Sequence, residues 1–250
     1  MNSKERFSNR VDTYVLYRPS YPQAVMDYLY GVIGLKQDCV VADVGAGTGI
    51  FSKLLLDRGS QVIAVEPNKE MREAAEKDLG GESNYRAVPG SAEETGLPDH
   101  SVDFIVCAQS FHWFDRAAAR VEFQRILKPN GKIVLIWNNR LTQGTPFREE
   151  YDQFLHTFGT DYKTVTQKNI TPDALVQFFE TGDMQIGRFP NHQLFDLEGL
   201  AGRVLSSSYI PVPGDPSYDA MMDALRELFE RNEQGGQVSF DYETEVFWGS

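Results

Sequence analysis

Short apolar runs alternate with amphipathic stretches through the first 140 residues of the chain. The apolar runs predict five strands, at 40–44, 62–66, 85–88, 102–108 and 132–137. The stretches around them predict helices near 22–33, 48–57, 68–79 and 116–127. Because strands that alternate with single helices form βαβ units, this part of the chain is predicted to build a mostly parallel sheet.

The pattern changes after Trp137. Residues 138–171 are polar, rich in Thr and Gln, and carry scattered aromatic side chains without a predicted helix or strand. Helices are predicted further on at 172–180, 197–207 and 216–231, with a strand at 184–196. Residues 237–248 alternate strictly between two sets of side chains, which predicts a last strand with one face in solvent. With no internal repeat, linker or low-complexity tract, the chain is predicted to form one domain with an elaborated second half.

The composition is that of an ordinary globular protein, with 41% hydrophobic and 24% charged residues. Its two cysteines, Cys39 and Cys107, adjoin apolar runs, which favours reduced, packed thiols over a disulfide or a metal site. The first ten residues have no apolar stretch typical of a signal peptide, and no apolar run is long enough for a membrane span. We therefore expect a cytoplasmic protein with no membrane partner.

Charge is distributed unevenly along the chain, whose net charge is −12. Residues 1–140 carry 17 basic and 18 acidic side chains, whereas residues 141–250 carry 7 and 18. Nucleic-acid binding draws most of its affinity from clustered Lys and Arg, so this distribution disfavours DNA or RNA as a partner. A solvated acidic surface that maintains solubility explains the excess equally well.

A glycine-rich turn follows the first predicted strand, in the segment Asp43-Val44-Gly45-Ala46-Gly47-Thr48-Gly49. Glycines at a strand end let backbone N–H groups approach a ligand closely, which predicts a cofactor site; a tight turn without a ligand is the alternative. The dinucleotide fingerprint needs its third glycine at position 50, where Ile50 stands, so a pyrophosphate site is disfavoured. Glu66, at the end of the second strand, is placed to accept hydrogen bonds from ribose hydroxyls.

Further motifs follow in order: Glu66-Pro67, Gly90-Ser91-Ala92-Glu93, and Leu97-Pro98 before Ser101-Val102-Asp103. Together with the glycine turn, they resemble class I S-adenosylmethionine-dependent methyltransferases, more narrowly the type 11 small-molecule methyltransferases, with similarity to the trans-aconitate methyltransferase group. The resemblance covers most of residues 10–140. It implies an α/β, Rossmann-like sheet of seven strands in the order 3-2-1-4-5-7-6, with strand 7 antiparallel, helices on both faces and a helical substrate cap.

The resemblance also implies a division of one methyltransferase domain that spans 1–250. The N-terminal lid and first helix lie at 1–35, the cofactor-binding core at 36–140, the substrate cap with strand 6 at 141–235, and the last strand at 236–250. The implied activity is methyl transfer from S-adenosylmethionine to a small-molecule oxygen, nitrogen or carboxyl acceptor, giving S-adenosylhomocysteine without a metal. A nicotinamide-dependent oxidoreductase and a non-catalytic S-adenosylmethionine-binding protein are the alternatives.

Carried over to this sequence, the resemblance gives a set of cofactor-binding residues. They are Tyr14, Arg18, Asp43, Gly45, Ala46, Gly47, Thr48, Gly49, Glu66, Pro67, Met71, Ser91, Ala92, Glu93, Ala108 and Gln109. The glycine turn would line the methionine part, Glu66 would bind the ribose, and Pro67 and Met71 would pack near the adenine. The family often has Asp where Ser91 stands, so the contact to the adenine amine is expected from Glu93 or the backbone at Ala92.

Residues 107–115 are polar and aromatic and follow the fourth strand at the ligand-binding edge of the sheet. Gln109 and His112 are predicted to be catalytic, His112 as a general base or as a group that orients the acceptor, because its unperturbed pKa is near neutrality. The predicted acceptor contacts are Tyr17, His112, Trp113, Asn138 and Arg140. Packing of Trp113 against the next helix, and a surface position for Arg140, are the alternatives. The four histidines show no metal-ligand spacing, and the oligomeric state is not predicted.

Overall fold

The computed structural model describes residues 16–160, 162, 170–179 and 184–250. Seven strands form one sheet in the order β3-β2-β1-β4-β5-β7-β6. They are β1 (Val40–Val44), β2 (Gln61–Val65), β3 (Tyr85–Val88), β4 (Val102–Ala108), β5 (Leu127–Arg140), β6 (Gln185–Phe195) and β7 (Val238–Gly249). Strands β1 to β5 are parallel, and β7 runs antiparallel to both β5 and β6. This confirms the predicted strand order and the antiparallel last strand.

Helices cover both faces of the sheet and extend beyond one end of it. They are α1 (Gln23–Tyr28, continued by a π-helical turn at Leu29–Ile33), α2 (Ile50–Leu56), α3 (Lys69–Leu79), α4 (Arg116–Ile126), α5 (Pro146–Phe158), α6 (Pro172–Phe178), α7 (Leu197–Leu205) and α8 (Tyr218–Asn232). A short 3-10 turn at Phe111–Trp113 precedes α4. None of the helices in the described ranges has the length and hydropathy needed to cross a membrane.

Helix α5 corrects the expectation that residues 138–171 lack a regular element. Thr145 caps it, since its hydroxyl accepts the Arg148 N–H at 3.3 Å, and proline occupies the first turn. One face of the helix is apolar and buried, at Phe147, Tyr151, Phe154 and Leu155. Charged residues between these positions gave the segment a polar composition without removing its helical period.

Strand β5 is longer than the predicted run at 132–137. Its first residue, Leu127, pairs with Val102, and the pairing then shifts so that Lys132 opposes Phe104. Residues 128–131 therefore form an irregularity within the strand, where Asn130 adopts a φ of +66°.

The alternation predicted for the last strand holds as far as Val246. Phe247 departs from it because it lies on the other face and is also buried, with its ring 5.6 Å from that of Trp137. Near its carboxyl end, β7 is therefore covered on both faces instead of having one face in solvent.

Buried apolar side chains of the described residues form three clusters. Two of them lie on the two faces of the sheet, which explains why β1 and β4 are mostly apolar. The third joins α5, α7 and α8 to the first half of β7, around Tyr151, Leu225 and Phe240. This third cluster holds a helical layer beside the carboxyl ends of the parallel strands, where open α/β sheets bind their ligands.

Candidate active site

A cleft of about 250 Å³ opens at the carboxyl ends of the central strands. Its walls come from both sides of β4. We call the part lined by residues within 43–48, 66–71 and 91–93 the sheet end. We call the opposite part the cap end; it is lined by Arg18, Arg140, Tyr162, Arg203, Ser208, Tyr209 and Tyr242. Gln109 and His112 follow β4 and lie between the two ends in the order of the sheet.

The glycine turn at the sheet end requires glycine for two reasons. Gly45, Gly47 and Gly49 have φ values of +71°, +58° and +81°, a region that other residues avoid. A Cβ on Gly45 would also lie 2.5 Å from the Cβ of Ser110. Gly49 differs from the other two, because it does not line the cleft; a Cβ there would lie 2.7 Å from Leu79 Cδ1 of α3. The structure thus gives Gly49 a helix-packing position in place of the expected ligand-lining one.

Glu66 is held rigidly at the end of β2. Its two carboxylate oxygens accept the backbone N–H groups of Gly47 and Asn68, each at 2.8 Å, and the residue is 7% exposed. Burial raises the pKa of the carboxyl, and the two N–H groups and the Arg72 guanidinium offset part of that rise. Each oxygen has further lone-pair capacity, so the carboxylate can still accept hydroxyl groups from a ligand.

Asp43 and Thr48 each place a buried oxygen atom at the sheet end. Asp43 Oδ2 accepts the Ser52 hydroxyl at 2.7 Å, but neither Asp43 Oδ1 nor Thr48 Oγ1 has a hydrogen-bond partner among the described residues. Burial raises the pKa of Asp43 to about 7, and the charge of Glu66 adds to the effect. Because an unsatisfied buried polar atom costs about 1–3 kcal/mol, this site is suited to a ligand that donates hydrogen bonds.

The remaining predicted residues of the sheet end also line the cleft. They are Gly45, Ala46, Gly47, Pro67, Met71, Ser91, Ala92 and Glu93. Met71 and Ala92 are buried and offer apolar surface, whereas Glu93 Oε1 accepts the backbone N–H of Asp115 at 3.0 Å, next to α4. Asn68, which the sequence analysis did not single out, caps α3 by accepting the Met71 N–H at 2.9 Å.

Ala108 and Gln109 line the cleft where β4 ends. Gln109 has a φ of +59°, an uncommon conformation for a residue other than glycine. Its N–H donates to the Ile136 carbonyl at 2.9 Å, and its Nε2 donates to the Asn138 carbonyl at 3.4 Å. Strained backbone of this kind is kept where the surroundings fix it and is common at functional sites.

His112 lies in the 3-10 turn after β4, with its ring centroid 4.8 Å from that of Trp113, and both residues line the cleft. Its Nδ1 is buried and has no partner among the described residues. Burial lowers the pKa of His112 to about 4, and the positive charge of Arg18 adds to the effect. The imidazole is therefore neutral at pH 7 and is a weaker base than its ordinary pKa suggested. It is suited to hydrogen bonding with a substrate.

Arg140 occupies the cap end at the end of β5, and its side chain is only 14% exposed, so the surface alternative is wrong. Its Nη2 donates to Asp152 Oδ1 at 2.5 Å and to the Tyr162 hydroxyl at 2.9 Å. The guanidinium also lies over the Tyr151 ring, 5.1 Å from its centroid. Its Nη1 is buried and makes no hydrogen bond to a described residue, which leaves one donor group for a ligand.

Asn138 lines the cleft, but its side chain is engaged in hydrogen bonds to other residues of the protein. Its Oδ1 accepts the Thr244 hydroxyl at 2.6 Å and the Asn191 Nδ2 at 3.1 Å, while its own Nδ2 donates to the Ser20 carbonyl at 3.3 Å. The residue therefore ties β5 to β7, to β6 and to the segment before α1.

The N-terminal segment contributes Arg18 to the cleft. Arg18 Nη2 donates to the Ser206 carbonyl at 3.0 Å, which joins this segment to the end of α7. Tyr17 is not among the lining residues; its ring packs against Gly202, where it leaves no room for a side chain. Tyr14, the other predicted lid residue, lies outside the described residues.

Much of the cap end was missed by the sequence analysis. The unpredicted residues there are Arg203, Ser208, Tyr209 and Tyr242, which come from separate parts of the chain. For Arg203 a signal was present, because it lies three residues after Leu200 and next to Val204, on the buried side of α7. A charged residue on the apolar face of a helix is uncommon enough to mark a site.

Comparisons with known proteins agree with this fold. Residues 42–135 match the model of the Methyltransf_11 family, a methyltransferase domain. Over 245 residues the chain is 29% identical to an uncharacterized methyltransferase-like protein of Schizosaccharomyces pombe, covering 96% of this chain and 93% of that protein. It is 40% identical over 134 residues to an uncharacterized methyltransferase of Mycobacterium bovis, covering 54% of this chain and 52% of that protein.

Solved structures share the fold. A protein of Anaeromyxobacter dehalogenans described as a type II methyltransferase has a TM-score of 0.66 at 20% identity, covering 93% of this chain and 97% of its own. An S-adenosylmethionine-dependent methyltransferase of Thiobacillus denitrificans, in complex with S-adenosylhomocysteine, has a TM-score of 0.56 at 16% identity, covering 99% of both chains.

The sequence matches, taken with the sheet order and the glycine turn, define the class of protein: the chain is a methyltransferase. Within it, residues 42–135 match the Methyltransf_11 domain. The narrower similarity to the trans-aconitate methyltransferase group stays a prediction.

Proposed function

We propose that the protein transfers the methyl group of S-adenosylmethionine to a small-molecule acceptor, with the donor in the sheet end of the cleft and the acceptor in the cap end. The observation that carries the proposal is the opposite chemistry of the two ends. Buried carboxylates of Asp43 and Glu66 lie at one end, and guanidinium groups of Arg140 and Arg203 lie at the other.

The residues of the sheet end fit the proposed donor. Glu66 offers carboxylate oxygens to the ribose hydroxyls, and the apolar surfaces of Met71 and Ala92 suit an adenine ring. Asp43 Oδ1 and Thr48 Oγ1 have no hydrogen-bond partner in the described part of the chain and suit the polar groups of the methionine part. When bound, the sulfonium supplies an electrophilic methyl group, whose transfer is an in-line displacement.

Positioning and exclusion of water supply much of the rate in such a displacement, because the positive charge is already present on the donor. In this chain Gln109 and His112 lie between the two ends and are placed to orient the acceptor. Neutral His112 can share a hydrogen bond with an acceptor hydroxyl or amine, and an ionised acceptor needs no base.

Two features favour a small acceptor. The cap end belongs to a cleft of about 250 Å³ and is lined by tyrosines and by Arg18, which contacts the end of α7. The half of the chain that supplies most of the cap carries 7 basic and 18 acidic side chains, a balance that disfavours a nucleic-acid acceptor.

Calorimetry and a transfer assay test the proposal. We expect S-adenosylhomocysteine to bind and NAD not to bind, and Glu66→Gln to weaken S-adenosylhomocysteine about 10- to 100-fold, because a charged hydrogen-bond acceptor is lost. Glu82→Gln, a matched change at an exposed residue after α3, should leave the affinity unchanged. Methyl release from labelled S-adenosylmethionine onto a panel of small acids, alcohols and amines tests catalysis.

Two outcomes would contradict the proposal. Tight binding of NAD without binding of S-adenosylhomocysteine would favour an oxidoreductase. Binding of S-adenosylhomocysteine without transfer to any member of the panel would favour a non-catalytic cofactor-binding protein.

A further inference from the structure

We propose that Arg203 is the specificity-determining residue of the acceptor site and that it binds an anionic oxygen group of the acceptor, a carboxylate or a phosphate. The inference rests on the proposed function, because it concerns the acceptor in the cap end of the same cleft.

Arg203 is buried yet lacks a charged partner. It is 7% exposed, and it lies on α7 with its guanidinium at the cap end. Across the described ranges it forms no ion pair with a carboxylate. Its hydrogen bonds go only to neutral hydroxyls, those of Tyr242 at 3.3 Å, Ser207 at 3.2 Å and Ser206 at 3.5 Å. These bonds use Nε and Nη1, so Nη2 remains available to a ligand.

Burial of such a charge is unfavourable. An arginine cannot neutralise itself by losing a proton, and a buried ion without a counter-charge has a desolvation cost of several kcal/mol. The Phe240 ring, 5.2 Å from the guanidinium carbon, and the three hydroxyls compensate only in part. An anionic group that entered the cleft would complete the compensation, and the planar guanidinium matches both carboxylate and phosphate oxygens.

Arg140 shows what a compensated arginine looks like in the same cleft. It has a carboxylate, Asp152, within hydrogen-bond distance and a tyrosine hydroxyl beside it. Arg203 has the hydroxyls but no carboxylate. The difference assigns the anion to Arg203, with the unbonded Nη1 of Arg140 as a secondary donor.

The test compares acids with their uncharged counterparts in protein saturated with S-adenosylhomocysteine. Titrations use succinate against succinamide and benzoate against benzamide, with phenyl phosphate and inorganic phosphate separating the two anion types. If the site binds carboxylates, we expect at least one acid to bind about 10- to 100-fold more tightly than its amide. If it binds phosphates, we expect a phosphate to bind more tightly than the carboxylates by the same factor, which is typical of charge-assisted hydrogen bonds. Arg203→Leu should abolish that preference and leave the affinity for S-adenosylhomocysteine within twofold.

Two variants serve as controls. Arg226→Leu removes the same charge from an exposed position on α8 and should leave the preference unchanged, which separates direct binding from the general field of the protein. Arg203→Lys keeps the charge but not the planar fork, and should retain the preference with weaker carboxylate binding. If Arg203→Leu does not fold, judged by S-adenosylhomocysteine binding, the comparison of wild type with Arg203→Lys decides.

Equal binding of acids and amides by the wild type, without tighter binding of either phosphate, would overturn the inference. An unchanged preference in Arg203→Leu would also overturn it, as would undiminished anion binding by Arg203→Lys if the leucine variant does not fold. Any of these results, with S-adenosylhomocysteine bound and a neutral acceptor methylated, would leave the proposed function standing. Failure of S-adenosylhomocysteine to bind to the wild type would remove both proposals.

Discussion

The two ends of the cleft present different chemical groups. The sheet end presents backbone N–H groups and two buried carboxylates, held by hydrogen bonds of 2.7 to 2.8 Å within one short region of sequence. The cap end presents guanidinium and phenol groups on long side chains from β5, α7 and β7. Backbone geometry tolerates little change, whereas a set of side chains can be altered one at a time. We infer from this difference that the proposed donor site is a fixed property of the fold and that the proposed acceptor site is adjustable.

The buried negative charge of the sheet end can be tested through the pH dependence of stability. The folded-state pKa of Asp43 is about 7, raised from 3.8, so the folded protein holds a proton that the unfolded chain releases. This contribution to stability is complete below pH 4 and is lost as the pH rises to 7. The free energy of unfolding of Asp43→Asn, relative to that of wild type, should therefore be greater at pH 8 than at pH 4 by up to about 4 kcal/mol.

Urea unfolding of both proteins across this pH range, without ligand, measures the difference. Parallel stability curves for wild type and Asp43→Asn would mean that the carboxyl titrates normally and that water reaches Asp43 more readily than its 1% exposure indicates.

The claim that the sheet end depends on backbone geometry predicts a large effect at Gly45. Gly45→Ala should destabilise the fold by about 3 kcal/mol, because the φ of +71° and the contact with Ser110 both oppose a side chain. Gly47→Ala is the matched control, since its Cβ would have an open position 3.7 Å from Met71 Sδ and only the φ cost of about 1 kcal/mol remains. Denaturant unfolding compares the two variants, and equal losses would remove the steric part of the explanation.

His112 lies between the two ends and should affect turnover without affecting the donor. His112→Ala is expected to lower kcat about 100-fold and to change S-adenosylhomocysteine affinity less than twofold. Because the pKa of His112 is about 4, wild-type kcat should show no inflection from this group between pH 6 and 9. Steady-state kinetics with an acceptor from the panel measures both. Unchanged turnover would remove His112 from the reaction, and an inflection near 6.5 that the variant lacks would restore it as a titrating base.

The smallest effect is expected at the start of α5. Thr145→Ala removes the N-cap hydrogen bond of this helix and should lower the free energy of unfolding by about 1 kcal/mol. Donor affinity should not change, because α5 packs in the third apolar cluster and contacts Arg140 of the cap end, on the far side of the cleft from the sheet end. Thr145→Ser, which keeps the hydroxyl, should restore the stability. A parallel loss of S-adenosylhomocysteine binding in the alanine variant would show that the two ends are less independent than their construction suggests.

The same contrast explains what could be read from the sequence. Strands β1 and β4 are buried on both faces, so they leave mostly apolar runs, and the sheet-end residues lie at strand ends or a few positions beyond them. The cap end has no such local signature. Arg203 and Tyr242 are 39 residues apart and meet only because α7 packs beside β7. The lowered pKa of His112 arises in the same way, from burial that no local pattern records.

Gly49 links the sheet end to the packing of α3 behind the cleft. The residue touches α3 through Leu79 and Ala75, and α3 begins beside Asn68, whose backbone N–H binds Glu66. A side chain at position 49 would wedge α2 and α3 apart and move the Glu66 carboxylate that we propose binds the ribose, although position 49 itself does not line the cleft. We therefore expect the third glycine of the turn to act as a spacer, so that the affinity for the proposed donor depends partly on how closely two helices approach behind the binding surface.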